Sequence, residues 1–171
     1  MKIAVTGTPG TGKTTVSKLL SERLGIPHYE ISRVVKEKGL YSEYDSRRES
    51  FIVDIEKLKD FFSRIESFIA DGLVSHYLPV DIVVILRTEP NLLRKRLQER
   101  GYSAEKVEEN VEAEKLAVIA SEALSSPGAR IIHIDTSRKR PEEVVDLIIK
   151  GLKGEEVFDD VDWLENEGAG S

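Results

Sequence analysis

One octapeptide restricts this chain more than any other feature. Gly7-Thr8-Pro9-Gly10-Thr11-Gly12-Lys13-Thr14 follows the pattern glycine, four residues, glycine, lysine, serine or threonine. Before it, Lys2–Thr6 reads as a short buried strand. After it, Val16, Leu19, Leu20 and Leu24 recur at helical spacing over Thr15–Leu24. In a strand, glycine-rich loop and helix, successive backbone amides can turn inward to form an anion-binding nest, backed by the positive end of the helix. There Lys13 would reach the β- and γ-phosphates of ATP, Thr14 would offer its hydroxyl to Mg²⁺, and Thr15 would add a hydroxyl at the α-phosphate. A glycine turn that merely joins two elements does not account for Lys13 and Thr14 at these offsets.

The remaining segments alternate in the same way. Gly25 and Pro27 end the first helix, His28–Ile31 suits a second short strand, and residues 32–50 read as polar and irregular apart from a short helix at Val34–Lys38. Ile55–Ile65 has helical spacing, and Ser67–Ala70 reads as a strand ending at Asp71. Asp81–Arg87 carries the unbroken β-branched run of a strand covered on both faces. Helices follow at Pro90–Glu99 and Ala104–Leu124, then a strand at Arg130–Asp135 and a helix at Pro141–Leu152. Strands alternating with helices predict a parallel sheet with right-handed crossovers, in a three-layer α/β domain.

Composition removes other classes. With 171 residues, 40% hydrophobic and 33% charged, the chain can bury one sizeable core and is no disordered protein. It has no cysteine, so disulfides, thiol nucleophiles and cysteine-held metals are excluded, and His28, His76 and His133 are too scattered for a histidine metal site. No apolar run approaches the roughly 18 residues of a membrane span. The apolar start is too short for a secretion signal, so a soluble, cytoplasmic protein without membrane partners is expected. The net charge of −6 is uneven: residues 154–171 hold seven of the 31 acids and no base, leaving 24 acids against 25 bases over 1–153. Residues 1–153 thus form the expected domain, and 154–171 an acidic, flexible tail.

Phosphoryl transfer needs an aspartate at the end of an apolar strand to orient Mg²⁺, and Asp71 is the best placed. A signalling GTPase is disfavoured, because Val74 stands where the glycine after the metal aspartate belongs and no Asn-Lys-x-Asp occurs. The basic cluster from Arg87 to Arg100 suits a kinase lid, whose planar guanidinium groups meet the charge of a transferring phosphoryl group on closure.

Thr6–Thr15, Leu86-Arg87-Thr88, Asn91-Leu92-Leu93, Arg96-Leu97 and Glu99-Arg100-Gly101-Tyr102, followed by Lys106, Asn110 and Glu112, together resemble the nuclear-type adenylate kinases, adenylate kinase isoenzyme six. The resemblance runs over nearly all of residues 1–150. It implies the fold of the P-loop nucleoside monophosphate kinases, ATP and Mg²⁺ as cofactors, and transfer to AMP or another nucleoside monophosphate. It also implies ATPase activity and a part in small-ribosomal-subunit maturation, with a small-subunit ribosomal protein and pre-ribosomal RNA as partners. Gly10, Gly12, Lys13, Thr14 and Thr15 would bind the phosphates and Mg²⁺. Residues of about 30–53 would form the monophosphate-binding segment, and about 99–109 the short lid. Arg87, Arg96 and Arg100 would act in catalysis, Arg100 touching ATP, and Arg140 would contact adenine.

The chain departs from that family in two places. Where the family usually carries a histidine two residues after the strand-end aspartate, this chain has Leu73, and His76 is the nearest histidine. The acceptor motif Gly-Asp-x-x-Arg is here Ser32-Arg33-Val34-Val35-Lys36, so Lys36, a point charge, replaces a planar fork, with Arg33, Arg47 and Arg48 available to share its task. The readings from other classes are a ribosome-assembly ATPase with little kinase activity and a small-metabolite kinase.

Overall fold

The apolar run that looked most like a central strand is one: all six residues of Ile82–Arg87 are buried. The computed structural model describes residues 1–48 and 50–164. β1 (Lys2–Thr6) leads to α1 (Lys13–Leu24), and β2 (His28–Glu30) to α2 (Ile31–Lys38). A hairpin of β3 (Tyr41–Asp45) and β4 (Ser50–Val53) precedes α3 (Ile55–Ser63) and β5 (Phe68–Asp71). A 3-10 turn at Ser75–Tyr77 leads to β6 (Ile82–Arg87), α4 (Pro90–Glu99), α5 (Ala104–Lys115) and α6 (Val118–Leu124). β7 (Arg130–Asp135) and α7 (Pro141–Leu152) follow.

The main sheet has the order β2-β5-β1-β6-β7, with every pair parallel. Strand alternation sends Ile3, Val5, Val84 and Ile134 to one face, where Val16, Leu20, Val145 and Ile148 of α1 and α7 cover them. Ala4, Val83 and Ile85 face the other way, against Ala120 and Ala123 of α6. This is the expected three-layer α/β fold. Because β1 has β5 on one side and β6 on the other, the chain reverses direction there and a crevice opens at the carboxyl ends of the strands. Thr6, Asp71 and Arg87 end β1, β5 and β6 at that edge.

Three local expectations are corrected. Residues 32–50 are not irregular: α2 begins at Ile31, and β3 pairs antiparallel with β4. Aromatic contacts, Tyr41–Phe51 at 4.3 Å and Tyr44–Phe51 at 5.2 Å between ring centroids, hold a hairpin whose charged residues hid it. The single helix expected over Ala104–Leu124 breaks at Ala117, whose φ of 54° is left-handed without a glycine, a strain of roughly 1–2 kcal/mol. The break lets α6 turn back and bury Ala120 and Ala123 against the sheet.

The acidic segment is the third. Residues 154–164 do not trail away. Phe158 bridges His133 in parallel, Asp159 N–H donates to the His133 carbonyl at 2.8 Å, and His133 N–H donates to the Val157 carbonyl at 3.1 Å. β7 is an edge strand with free backbone groups on its outer side, and this segment satisfies them. Residues 165–171, the rest of the expected tail, lie outside the described residues.

Candidate active site

Glycine backbone shapes the loop between β1 and α1. Gly10 and Gly12 have φ of 92° and 93°, a region other residues avoid, and a Cβ on Gly10 would lie 2.8 Å from Leu93 Cδ1. The loop therefore rests directly on α4, which packs on α5 through Leu93, Leu97, Val107 and Val111. Lys13, at the start of α1, folds its ammonium back to donate to the carbonyls of Gly7 at 2.9 Å and Thr8 at 3.1 Å. Burial lowers its pKa to about 8; the Asp71 carboxylate opposes this and the nearby Arg100 guanidinium adds to it. A half-buried ammonium at the start of a helix, held by carbonyls of a glycine loop, has the chemistry to meet an anion. Thr15 stands exposed on the first turn of α1.

Asp71 ends β5 with 3% exposure, and Thr14 Oγ1 donates to its Oδ1 at 3.1 Å. An alcohol oxygen and a carboxylate oxygen side by side are the hard donors that Mg²⁺ takes, so the residues present fit that ion. The other carboxylate oxygen is hydrogen-bonded to His28 Nε2, which fixes the orientation of Asp71.

The arginines predicted to act together divide. Arg96 Nη1 donates to the Gly10 carbonyl at 3.0 Å, and burial, with Arg100 nearby, holds its pKa below the usual guanidinium range. Arg100, exposed after the end of α4, is close enough to depress both Arg96 and Lys13. Lys13 and Arg96 thus both bond to carbonyls of the glycine loop, with the positive charge of Arg100 nearby. Arg87 does not join them: its side chain is 3% exposed, Nε donates to Glu114 Oε2 at 3.0 Å, and Nη2 donates to the Glu114 carbonyl at 3.1 Å. Its expected catalytic role is corrected to that of a buried structural cation.

The acceptor candidates lie to the other side. Ser32, Arg33, Lys36 and Glu37 line a shallow depression on α2. Arg47 and Arg48 sit in the turn between β3 and β4, their amides donating to Asp45 Oδ1, and the Arg48 guanidinium meets Glu109 of α5 at 3.3 Å. The turn between β3 and β4 and the helix α5 therefore touch. Arg140 caps α7 and pairs at the surface with Glu143 at 2.9 Å, which raises its pKa.

Four contributors escaped sequence reasoning: His28, Thr8, Glu114 and Trp163. Glu114 is 2% exposed and accepts from Thr8 Oγ1, Arg87 Nε, Thr88 N–H and Trp163 Nε1. In the sequence it is one acid among many on α5, and only the offset of Val107, Val111 and Glu114 along one helical face marks it as inward. His76, by contrast, is held between Thr6 Oγ1 at 2.9 Å and Glu122 Oε2 at 3.1 Å.

A family model described as an AAA domain matches residues 3–117. A Methanocaldococcus jannaschii protein named "Putative adenylate kinase" is 43% identical over 170 residues, covering 96% of this chain and 94% of that protein. A Thermococcus gammatolerans protein of the same name is 46% identical over 172 residues, with the same coverage of each. Among solved structures, shikimate kinase from Aquifex aeolicus superposes with a TM-score of 0.58 at 24% identity, over 90% of this chain and 97% of that one. Deoxyadenosine kinase from M. mycoides with bound dATP gives 0.62 at 19% identity, over 90% and 100%. These two likenesses establish a fold in common with P-loop kinases.

Proposed function

This chain belongs to the archaeal adenylate kinase family, and from that premise we propose that it transfers the γ-phosphoryl group of ATP to a nucleoside monophosphate, AMP first among them. One observation carries the reading: Lys13 and Arg96 bond to the glycine loop, with the charge of Arg100 nearby, while Thr14 and Asp71 stand 3.1 Å apart beside it. Cations surround the place where negative charge develops, and a hard-oxygen pair stands ready for the metal. Bound Mg²⁺ would neutralise phosphate charge. Lys13 would exchange its loop carbonyls for phosphate oxygens, and Arg96 and Arg100 would meet the charge of the transferred group, so that positioning and electrostatics do the work without a covalent intermediate. Gly10, Gly12 and Thr15 would line the phosphates and Arg140 the adenine. Arg33, Lys36, Arg47 and Arg48 would hold the acceptor, and contact between the turn carrying Arg48 and α5 would help exclude water.

The resemblance to the nuclear-type adenylate kinases supports a wider form of the proposal: ATP hydrolysis without acceptor, and action on a small-subunit ribosomal protein and pre-ribosomal RNA. A coupled assay of ADP formation from ATP and Mg²⁺, with and without AMP and across a panel of monophosphates, separates the two. Stimulation by AMP of about tenfold or more is expected, well within what the positioning of two reactants can supply. AMP-independent hydrolysis, or silence until a ribosomal protein is added, would make the assembly ATPase the primary activity.

A further inference from the structure

The segment after α7 reaches back to the nucleotide loop. Along β7 it is pinned by His133, whose Nδ1 bonds to the Asp159 carbonyl at 2.7 Å and whose ring packs on Phe158 at 4.7 Å. Asp159 Oδ2 accepts from Asp135 N–H at 2.8 Å and lies 3.8 Å from Lys139 Nζ, so the segment also braces the loop that leads to Arg140. Trp163 then turns inward with 7% exposure and donates its indole N–H to Glu114 Oε2 at 3.0 Å. Glu114 Oε1 accepts from Thr8 Oγ1 at 2.9 Å. Thr8 belongs to the phosphate loop, and its carbonyl accepts from both Lys13 Nζ and Thr11 Oγ1.

We propose that Trp163 and Glu114 are positioning residues for the nucleotide: the C-terminal strap sets the phosphate loop through the chain Trp163, Glu114, Thr8. A carboxylate offers about four acceptor sites, and Glu114 uses them on donors from the loop, the end of β6 and the strap. Its position is thus fixed from three sides, and the loss of one donor is transmitted to the others. Without the indole, Glu114 gains access to water and shifts toward Arg87 and Thr88, and Thr8 loses its fixed partner. The loop then samples arrangements in which Lys13 is not aimed at a phosphate, and nucleotide affinity falls by the fraction of loop still competent. The inference rests on the nucleotide-binding half of the proposed function and not on the identity of the acceptor.

The test uses ADP as probe and calorimetry as readout, on the full chain and its Trp163→Phe, Thr8→Val and doubly substituted variants. Each single change is expected to weaken ADP binding about five- to tenfold, the effect of one ordinary hydrogen bond, and the double change no more than the larger single one. Trp163 is the only tryptophan, so its emission reports the same link without any change to the strap. A saturable change on adding ADP to the unaltered protein, lost in Thr8→Val, is expected. ADP affinity in Trp163→Phe within twofold of the unaltered protein would overturn the coupling even if the melting temperature drops, since a purely structural strap would do that. Should Trp163→Phe not fold, an emission unmoved by saturating ADP would overturn it. Failure of AMP to stimulate turnover would refute the kinase reading and leave this one standing.

Discussion

Arg87 and Glu114 form an ion pair, Nε to Oε2 at 3.0 Å, with each side chain only 3% exposed. Burial makes the pair asymmetric in its consequences. Replacing both partners by apolar groups can be neutral, but removing one leaves a charge in a place water cannot reach. Glu114→Ala is therefore expected to destabilise the protein by about 3–5 kcal/mol, more than an ordinary core truncation of similar size. Urea unfolding at neutral pH measures it, and a loss under about 1 kcal/mol would show that Arg87 finds another counter-charge.

Lys13 has the opposite profile. Among the described residues its ammonium bonds to carbonyls of its own loop, Gly7 and Thr8, so little of the fold is expected to depend on it. Lys13→Ala is expected to lower turnover at least a hundredfold, the usual effect of removing one preorganised donor from developing charge, and to leave the melting temperature within a few degrees of the parent. Turnover within tenfold of the parent, in the same coupled assay, would remove Lys13 from the mechanism.

The proposed acceptor residues yield a prediction in the Michaelis constant rather than in turnover. Lys36 lies on α2 beside Arg33 at a shallow depression, and a lysine meets a phosphate as a point charge. Lys36→Ala is expected to raise the Michaelis constant for AMP about tenfold, with little effect on that for ATP, and Lys36→Arg to lower it. An unchanged AMP constant in both variants would move acceptor binding to Arg47 and Arg48.

What the sequence disclosed and what it hid follow from range. The loop between β1 and α1 and the strand that ends in Asp71 are legible because each is marked by a pattern confined to a few residues. The β6 strand is legible because burial on both faces leaves an unbroken apolar run from Ile82 to Leu86. The β3–β4 hairpin was hidden because Ser42, Glu43 and Asp45 interrupt its apolar alternation, and its stability comes from Tyr41 and Tyr44 meeting Phe51 across the turn. The break at Ala117 carries neither glycine nor proline to announce it. Trp163 was lost among acids, and Arg87 looked like its neighbours in a basic run. Their partner in each case is Glu114, 49 and 27 positions away, and no local pattern reports such a meeting.

The last prediction concerns acidity. The His76 side chain is 1% exposed, between Thr6 Oγ1, Glu122 Oε2 and the ring of Tyr77. Burial pushes its pKa below the ordinary 6.5, with Glu122 opposing in part. His133, packed among Arg87, Asp159 and Glu114, is lowered for the same first reason, against the Asp159 carbonyl. A base with a depressed folded pKa favours its neutral form in the fold. Its contribution is complete above 6.5 and is lost as pH falls, because the unfolded chain takes up the proton first. The melting temperature should therefore fall between about pH 7 and pH 5. His76→Gln keeps a donor and an acceptor between Thr6 and Glu122 but cannot titrate, and its melting temperature should fall less over the same interval. Parallel curves for parent and variant would assign the acid sensitivity elsewhere, and a parent more stable at pH 5 than at pH 7 would contradict the sign of both shifts.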